Sequence, residues 1–432
     1  MKPIIDRYAQ SGRLLERALA VIPLGSQTFS KSYRSFPRGA APAFLVRGSG
    51  GRVWDVDGNE YVDLVCGLLP IVLGYDDPDV TAAVEDQLHR GITFSLATEL
   101  EVELAEQLVE LIPCAEMVRF GKNGSDATAG AIRLARAYTG RERVAVCGYH
   151  GWQDWYIGST PMHRGVPDPV RALTHTFAYN DLASLERILI AHRGEFAAVI
   201  MEPMTTTEPL PGFLEGVRTL AHGHGALFVL DEIITGFRFH LGGAQTLFGV
   251  TPDLATFGKS MANGLPVAAV VGRREIMRHM EDVFFSFTFG GETLSLAGAL
   301  ATIRKMRKEP VIARLWERGD GMAVAARQAI ARHGLGDVIR VVGKPCWSVL
   351  EFRDSAGVSQ WDIKTLFLEE VLQRGVLTAG SQNVCYAHTV ADVAQVGSAY
   401  DAACAVVAAG LATGDLRKRI RGEPLQPLFR VR

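Results

Sequence analysis

Residues 226–260 read ALFVLDEIITGFRFHLGGAQTLFGVTPDLATFGKS. Two runs in this stretch, Ala226–Leu230 and Leu254–Phe257, are short and almost continuously apolar, as expected for strands covered on both faces of a sheet. An acid, Asp231, follows the first run, and an amine, Lys259, follows the second about 28 positions later. Ligands of open α/β sheets bind at the carboxyl ends of the strands, so we expect both side chains at that edge.

The same alternation of apolar runs and helical patterns extends to both sides of this stretch. It is typical of a parallel sheet flanked by helices, and it predicts the α/β class. The further predicted strands are Met117–Phe120, Val144–Cys147, Ala197–Ile200 and Val267–Val271, and the predicted helices are Glu99–Leu111, Ala127–Tyr138 and Leu214–His224.

The two ends of the chain have a different pattern. The amino-terminal part predicts a helix and three short strands, with a hairpin signal at Asp57-Gly58. The carboxyl-terminal part predicts a long charged helix, two strands and two more helices. We therefore expect a smaller α+β domain built jointly from residues 1–75 and 309–432, around a large domain of residues 76–308.

The composition is that of an ordinary soluble globular protein with room for two or three cores: 432 residues, 48% hydrophobic and 21% charged. A net charge of −2 gives no reason to propose a nucleic-acid or membrane partner, so we expect small-molecule substrates. The basic stretch Arg417–Arg432 is expected to be a solvated tail. Without a signal-peptide pattern or 18 uninterrupted apolar residues, the chain is expected in the cytoplasm.

The cysteines are scattered, with no C-x-x-C pair and no histidine cluster at ligand spacing. This pattern predicts reduced thiols, with neither a zinc site nor a disulfide framework, so no metal site is predicted. The six are Cys66, Cys114, Cys147, Cys346, Cys385 and Cys404.

A glycine-containing turn, Gly121–Ala127 (GKNGSDA), lies between a predicted strand and a predicted helix. We expect the helix to start with Ser125 or Asp126 as its cap. The backbone at Gly124 and Ser125 is well placed to bind a phosphate at the helix amino end, although a plain capped turn would explain the same residues.

Two more strand ends carry chemically useful side chains. Tyr149, after one strand, could stack on a planar heterocycle, whereas His150 beside it is expected to be a structural histidine. Glu202 ends another apolar strand. A buried acid of this kind needs a partner, either a cofactor cation or a structural arginine.

The acid and the amine of the opening stretch suit one kind of chemistry. A lysine amine condenses with an aldehyde to a Schiff base, and a buried carboxylate can keep a pyridine nitrogen protonated. The order of motifs resembles the class III, fold type I pyridoxal-phosphate-dependent aminotransferases, and within them the glutamate-1-semialdehyde 2,1-aminomutase branch. The matching blocks are Val53–Leu64, Asn123–Gly140, Tyr149–Gly151, Tyr179–Leu182, Asp231–Arg238 and Gly249–Gly272.

The resemblance implies a mostly parallel seven-stranded sheet in the large domain, pyridoxal 5'-phosphate as the cofactor, and a homodimer with shared active sites. It also implies that Lys259 forms the Schiff base and later moves the proton, and that Asp231 faces the pyridine nitrogen. The other implied roles are phosphate binding by Gly124 and Ser125, stacking on the ring by Tyr149, contact with its opposite face by Ile233, support of the Asp231 network by Glu202, and contact with the neighbouring subunit's phosphate by Thr288.

The pocket segments of the mutase are changed in this chain. Gly67-Leu68-Leu69-Pro70 stands where the mutase has a Ser-Trp pair, Gln27–Lys31 replaces its Asn-Ser-Pro-Val-Arg segment, and Gly380–Cys385 lacks a nearby acid. We therefore expect an aminotransferase that moves an amino group from a donor to the aldehyde or ketone of a small metabolite. The mutase is the alternative, because the loop Thr160–Ala172 looks mutase-like, and a non-catalytic binding module is a third hypothesis.

Substrate contacts are predicted at three positions. Lys31 or Arg34 could bind a carboxylate or phosphate of the substrate, although exposure without function explains both equally well. Trp152, with Trp155 and Tyr156, suggests room for a flat or sugar-like acceptor, and a lid core explains these aromatics as well.

Overall fold

The structure is a computed structural model, and it describes residues 6–427. The chain divides into two compact units, one of residues 78–312 and one of residues 6–77 together with 313–427. The expected domain boundaries, at 75/76 and 308/309, stay a prediction. The strands are β1 (Leu45–Ser49), β2 (Arg52–Asp55), β3 (Glu60–Asp63), β4 (Met117–Gly121), β5 (Arg143–Cys147), β6 (Thr174–Thr176), β7 (Phe196–Met201), β8 (Leu227–Asp231), β9 (Leu254–Phe257), β10 (Ala268–Gly272), β11 (Ile339–Lys344), β12 (Trp347–Phe352), β13 (Val376–Leu377) and β14 (Ser381–Asn383).

The helices account for most of the remaining regular structure. They are α1 (Ala9–Val21), α2 (Pro78–Arg90), α3 (Glu99–Leu111), α4 (Gly124–Thr139), α5 (Asp154–Ile157), α6 (Asp168–Arg171), α7 (Leu182–Ala191), α8 (Phe213–Gly223), α9 (Ala244–Phe248), α10 (Arg274–Met277), α11 (Thr293–Lys308), α12 (Val311–Arg332), α13 (Gln360–Gln373), α14 (Val390–Thr413) and α15 (Leu416–Arg419).

A seven-stranded sheet forms the centre of the first unit, with strand order β4-β10-β9-β8-β7-β5-β6, which confirms the predicted fold. Strands β5 to β9 pair in parallel, whereas β10 is antiparallel to both of its neighbours, β4 and β9. Residues 258–267, which join β9 to β10, are too few for the helical crossover that a parallel pairing requires. Every residue of β7, β8, β9 and β10 is buried, which explains their continuous apolar sequences.

Helix α4 packs on this sheet through a face of small and branched residues that includes Ala131, Ile132 and Leu134. Its cap is Asn123, whose side chain accepts a hydrogen bond from the Asp126 amide at 3.1 Å. The prediction that Ser125 or Asp126 caps the helix is therefore wrong. The helix starts earlier because Asn123 and Asp126 form a reciprocal capping box.

The second unit contains two smaller sheets. Strands β11, β12 and β14 form an antiparallel sheet, and β1, β2, β3 and β13 form another in which β13 is parallel to β3. The predicted hairpin between β2 and β3 is present, with Gly58 at φ 87° in its turn. Helices α13 and α14 pack against each other.

Helix α14 is long and apolar enough, by length and composition alone, to cross a membrane. It packs on α13, Thr389 caps its start, and Asp392 near that start bonds to Arg52 at 2.5 Å.

The described part of the basic carboxyl-terminal stretch does not form a solvated tail, so that expectation is wrong there. The backbone amides of Arg421 and Gly422 donate to the fully buried carboxylate of Glu369 at 2.9 and 2.7 Å. The Arg421 guanidinium also pairs with Glu370 at 2.8 Å. Buried acids on α13 thus bind this segment through residue 422, while residues 428–432 lie outside the described part of the chain.

Candidate active site

The sheet brings most of the predicted site residues to one edge of the first unit. Asp231 is the last residue of β8, and Lys259 follows β9, which is the neighbouring strand. Asp231 is in register with Thr256 of β9, three residues before Lys259. The acid and the amine therefore leave adjacent parallel strands at their carboxyl ends, as the sequence predicts.

Three hydrogen bonds hold the buried carboxylate of Asp231. His150 Nδ1 lies 2.7 Å from Oδ2, while the Ile233 amide and the Thr256 hydroxyl donate to Oδ1 at 3.1 and 3.2 Å. None of these three donors is the guanidinium or ammonium group that usually accompanies a buried acid. The carboxylate is fixed in direction and can still accept a cation.

His150 is hydrogen-bonded, as expected for a structural histidine, but its contact with Asp231 was not predicted from the sequence. The imidazole is fully buried, and it stacks on Trp155 with ring centres 6.2 Å apart. Its Nε2 has no hydrogen-bond partner among the described residues. The available signal was its position beside Tyr149 after a buried strand, at the edge where Asp231 was expected.

Glu202 follows β7, and its carboxylate accepts a hydrogen bond from the Tyr149 amide at 2.9 Å. Gly148 makes room for this contact, since a Cβ there would lie 2.6 Å from Glu202 Oε2. Tyr149 in turn meets the ring of Tyr156 edge to face, with centres 5.7 Å apart. Glu202 thus fixes the backbone that carries the predicted stacking residue.

The start of α4 has the features of an anion site. Gly124 and Ser125 are its first two residues, whose backbone amides have no acceptor within the helix. The Ser125 hydroxyl oxygen accepts a hydrogen bond from the Trp152 amide at 3.3 Å. A Cβ at Gly151 would lie 2.3 Å from that oxygen, so a residue with a side chain at this position would clash with the start of the helix.

Ile233 lies between the start of α4 and the residue before Lys259. A Cβ at Gly124 would be 3.0 Å from Ile233 Cγ2, and one at Gly258 would be 3.2 Å from its Cδ1. Both glycines therefore allow the backbone to approach this side chain. The close packing joins the predicted phosphate site, the acid strand and the lysine strand.

Lys259 has an unusual backbone conformation. Its φ is 40°, in the left-handed region that non-glycine residues rarely adopt, at the first position of the 3₁₀ turn Lys259–Ala262. Such a conformation costs about 1–3 kcal/mol and persists where the surrounding structure imposes it. This strain marks Lys259 as a candidate functional residue independently of its sequence motif.

Glu232, next to Asp231, has a structural role. Its carboxylate accepts hydrogen bonds from the amides of Ala244 and Gln245, at 2.7 and 2.8 Å, and from the Thr235 hydroxyl. Burial raises its pKa, and these hydrogen bonds oppose the shift. Glu232 therefore ties the loop after β8 to the start of α9.

The remaining predicted residues are exposed. Thr288 lies in an exposed loop with Phe284 and Phe289, and Trp152 is 65% exposed. Lys31 and Arg34 belong to the other unit, where each lies in a 3₁₀ segment with no buried residue. Their predicted substrate contacts stay predictions, as does the predicted contact of Thr288 with a neighbouring subunit.

The residues fit pyridoxal 5'-phosphate. None of the three donors to Asp231 is a guanidinium or ammonium group, and a protonated pyridine nitrogen would supply a cationic partner. The start of α4 would bind the phosphate, and Lys259 would attach the aldehyde. This fold and site define the class of fold type I pyridoxal-phosphate-dependent transferases.

Comparison with known proteins identifies the family. The class-III aminotransferase family matches residues 35–392, and the chain belongs to that family. It is 38% identical over 399 residues to a 3-aminobutyryl-CoA aminotransferase of Cloacimonas acidaminovorans, covering 90% of this chain and 95% of the relative. A glutamate-1-semialdehyde 2,1-aminomutase of Desulforamulus reducens is 37% identical over 414 residues, covering 89% and 95%.

Solved structures agree with this assignment. The FumI protein of Sphingopyxis sp. MTA144, in a form that carries pyridoxal phosphate, superposes with a TM-score of 0.87 at 32% identity, over 93% of this chain and 97% of that one. An omega-transaminase from Sphaerobacter thermophilus gives 0.83 at 28% identity, over 94% and 99%. The expectations of an enzyme, an aminotransferase and a pyridoxal-phosphate cofactor are thereby confirmed.

Proposed function

We propose that this class III aminotransferase binds its cofactor covalently at Lys259 and pairs the pyridine nitrogen with Asp231. The observation that carries the proposal is the placement of these two residues at the ends of adjacent parallel strands, with Asp231 held by His150, Ile233 and Thr256. Bound pyridoxal 5'-phosphate would supply an electron-withdrawing ring that stabilises the negative charge left when a proton departs.

The chain's own groups would do the remaining work. Asp231 keeps the nitrogen of the ring protonated, and His150 keeps the Asp231 carboxylate oriented toward it. Tyr149 and Ile233 would cover the two faces of the ring. Lys259 Nζ would take the proton from the carbon that bears the amine and return it.

We propose a transferase whose substrate carries its amine on a carbon that is not next to a carboxylate. The similar proteins whose names specify such amines support this: the 3-aminobutyryl-CoA aminotransferase, the omega-transaminase and, at 25% identity, a β-phenylalanine aminotransferase from Variovorax paradoxus. Lys31 or Arg34 would bind an acidic group of the substrate, and Trp152 would border its apolar part.

We further propose a cytoplasmic homodimer with shared active sites. The loop around Thr288 supports this, because Phe284 and Phe289 within it are 83% and 59% exposed. Large apolar side chains on a loop tip are stabilised when a second copy covers them. Thr288 would then reach the phosphate bound by the partner subunit.

The test is covalent trapping. Purified enzyme should absorb at roughly 420 nm, and borohydride should bleach the band and fix the cofactor on the peptide that contains Lys259. The Lys259→Ala variant should lose this adduct, while Lys122→Ala, on a nearby loop, should keep it. Absence of the band, or an adduct on another lysine, would reject the assignment.

A panel of amino donors tests the substrate class. β-Amino thioesters and terminal amines should remove the roughly 420 nm band in a single turnover. α-Amino acids whose one amine is next to the carboxylate should remove it far more slowly. Equal or faster reaction of the α-amine of simple α-amino acids would reject the proposed amine position.

The 2,1-aminomutase is the second candidate, since several relatives at 37–39% identity carry that name. The mutase keeps substrate and product in one site. Enzyme in the pyridoxamine form should therefore convert glutamate 1-semialdehyde to 5-aminolevulinate without an added amino donor. If the enzyme does so at a rate matching its best transamination, the mutase assignment replaces the transferase.

A further inference from the structure

Two cysteines and a histidine meet in the core of the unit formed by residues 6–77 and 313–427. Cys66 follows β3, whereas Cys385 and His388 follow β14, so sequence spacing alone does not reveal the cluster. One ligand atom from each of the three residues lies within 4.8 Å of the other two. All three side chains are buried, with exposures of 1%, 0% and 1%.

We propose that Cys66, Cys385 and His388 form a binding site for a thiophilic divalent cation, with Zn²⁺ as the expected ion. Thiolate and imidazole are the ligands that this ion prefers, and three protein ligands are sufficient to hold it when a further oxygen completes the shell. This site lies outside the residues assigned to transamination, and its role would be structural.

The distances suit such an ion after a small contraction. With metal–sulfur and metal–nitrogen bonds of about 2.3 and 2.0 Å, ligand atoms in a tetrahedral shell stand about 3.5–3.8 Å apart. The ligand atoms of the three residues are now up to 4.8 Å apart, so they would have to move about 1 Å closer together to bind the ion. The Cys66 thiol donates hydrogen bonds to the carbonyl oxygens of Asn383 and Asp63 at 3.0 and 3.2 Å, and one of these oxygens would become the fourth ligand once the thiol has lost its proton to bind the ion.

The histidine is held ready by its surroundings. Its Nδ1 accepts a hydrogen bond from the Cys385 amide at 3.0 Å, which fixes the ring beside that cysteine. Because Nδ1 offers its lone pair in that bond, it is the nitrogen that would bind the ion in place of the amide, while the buried Nε2, which has no hydrogen-bond partner among the described residues, carries the proton. Gly51 is required for this placement, since a Cβ there would lie 2.4 Å from His388 Cδ2.

Cys66 is also placed by an unfavourable backbone. Its φ is 46°, and the next three residues, Gly67, Leu68 and Leu69, are left-handed as well. A run of this kind is maintained by surrounding contacts. A metal bond between Cys66 and the segment after β14 would supply such a contact, and it would join two segments that lie far apart in the sequence.

Burial decides between a metal site and a redox pair. Cysteines that respond to oxidants are exposed to solvent, whereas both of these thiols are enclosed. A metal does not need access to the finished core, because ligands can bind it while the chain folds. The enclosed position thus favours an ion acquired during folding over later oxidation.

The test uses the full-length holoenzyme with Co²⁺ and Zn²⁺ as probes. After treatment with a chelator in denaturant and refolding with the cofactor and Co²⁺, wild-type enzyme should contain one Co²⁺ per chain, with the strong near-ultraviolet absorption of thiolate coordination, and refolding with Zn²⁺ in place of Co²⁺ should give no such absorption. Cys385→Ser and His388→Gln should lose this absorption, whereas Cys404→Ser, which changes a buried cysteine outside the cluster, should keep it.

Thermal unfolding separates the site from a folding defect. Refolding with Zn²⁺ should raise the unfolding midpoint of wild type and Cys404→Ser but not of Cys385→Ser, provided that all three retain the cofactor absorption. Three results would overturn the proposal: no cobalt–thiolate absorption in wild type, unchanged absorption in a folded Cys385→Ser, or a Cys66–Cys385 disulfide in native protein before any metal is added.

Discussion

At the scale of single residues, Asp231 shows how a buried acid is kept usable. Its oxygens are occupied by an imidazole, an amide and a hydroxyl, and the amide belongs to Ile233, two residues further on. Only the imidazole can be removed without changing the strands themselves. Substitution of His150 therefore measures how much the orientation of the Asp231 carboxylate contributes to activity.

Replacing His150 by leucine should lower kcat by about 10- to 150-fold. The reason is the loss of one hydrogen bond to a charged group, worth about 1.5–3 kcal/mol. His150→Asn, which can place an amide donor near the position of Nδ1, should recover part of the loss. Steady-state rates and cofactor affinity measure both effects, and wild-type values for His150→Leu would show that the contact is dispensable.

Lys364 on α13 is a half-buried amine with no assigned role. Burial lowers its pKa to about 8 from an ordinary value of 10.5. The unfolded chain therefore binds this proton more tightly than the folded one, and folding is penalised below pH 8. As the pH rises from about 8 to 10.5, the unfolded chain also loses the proton and the penalty disappears.

Lys364→Met should therefore raise the unfolding midpoint at pH 7, and its advantage over wild type should shrink as the pH approaches 10.5. The exposed Lys418 gives a matched control, and Lys418→Met should show no such trend. Calorimetry at a series of pH values measures the difference. A constant advantage at all pH values would mean that packing, rather than charge, causes it.

At the scale of elements, the start of α4 depends on the chain that crosses it. Gly151 has φ 105°, and a Cβ there would meet Ser125 Oγ at 2.3 Å. Gly165 has φ 93°, but a Cβ there would meet nothing within 4 Å. The two glycines share a backbone requirement and differ in contact with the helix.

Gly151→Ala should weaken cofactor binding at least about tenfold, because the displaced Ser125 disturbs the predicted phosphate site. Gly165→Ala should cost only stability, through the left-handed conformation, and should leave cofactor affinity near that of wild type. Titration of the cofactor-free proteins with pyridoxal 5'-phosphate checks both. Equal losses of affinity in the two variants would attribute the effect to backbone strain alone.

Strands and helices with a clear apolar pattern were predictable from the sequence, and so was the placement of Asp231 and Lys259 at the ends of two such strands. Strand β9 and helix α3 have the predicted bounds, β9 because its apolar run is continuous and α3 because its apolar residues recur at helical spacing. The antiparallel direction of β10 was not predictable, since an apolar run has no direction. The Cys66 and His388 cluster was hidden for a related reason, because pairing between distant segments creates it.

At the scale of the whole molecule, the proposed sharing of active sites between two subunits predicts complementation between two inactive variants. Lys259→Ala lacks the amine, and Thr288→Asp places a negative charge where the partner's phosphate is expected. A hybrid dimer would contain one site with both defects and one site with neither. Random mixing should therefore restore about a quarter of wild-type activity, because half of the dimers are hybrids.

The measurement is activity after the two variants are unfolded and refolded together, compared with each variant refolded alone. Hybrids isolated with two different affinity tags should have half the activity of wild type per dimer. No recovery in tagged hybrids that contain the cofactor would mean that each chain completes its own site.

The reversed strand β10 separates β4 from β9 in the sheet, while the carboxyl ends of both neighbours stay at the same edge. Two strand spacings amount to about 9–10 Å. The distance between Lys259, after β9, and the start of α4, after β4, is therefore set by the order of the strands in the sheet. Loop flexibility has little influence on it. The order of the strands thus sets the distance between the lysine and the start of the helix. A cofactor without its phosphate should leave the helix end of that distance unoccupied.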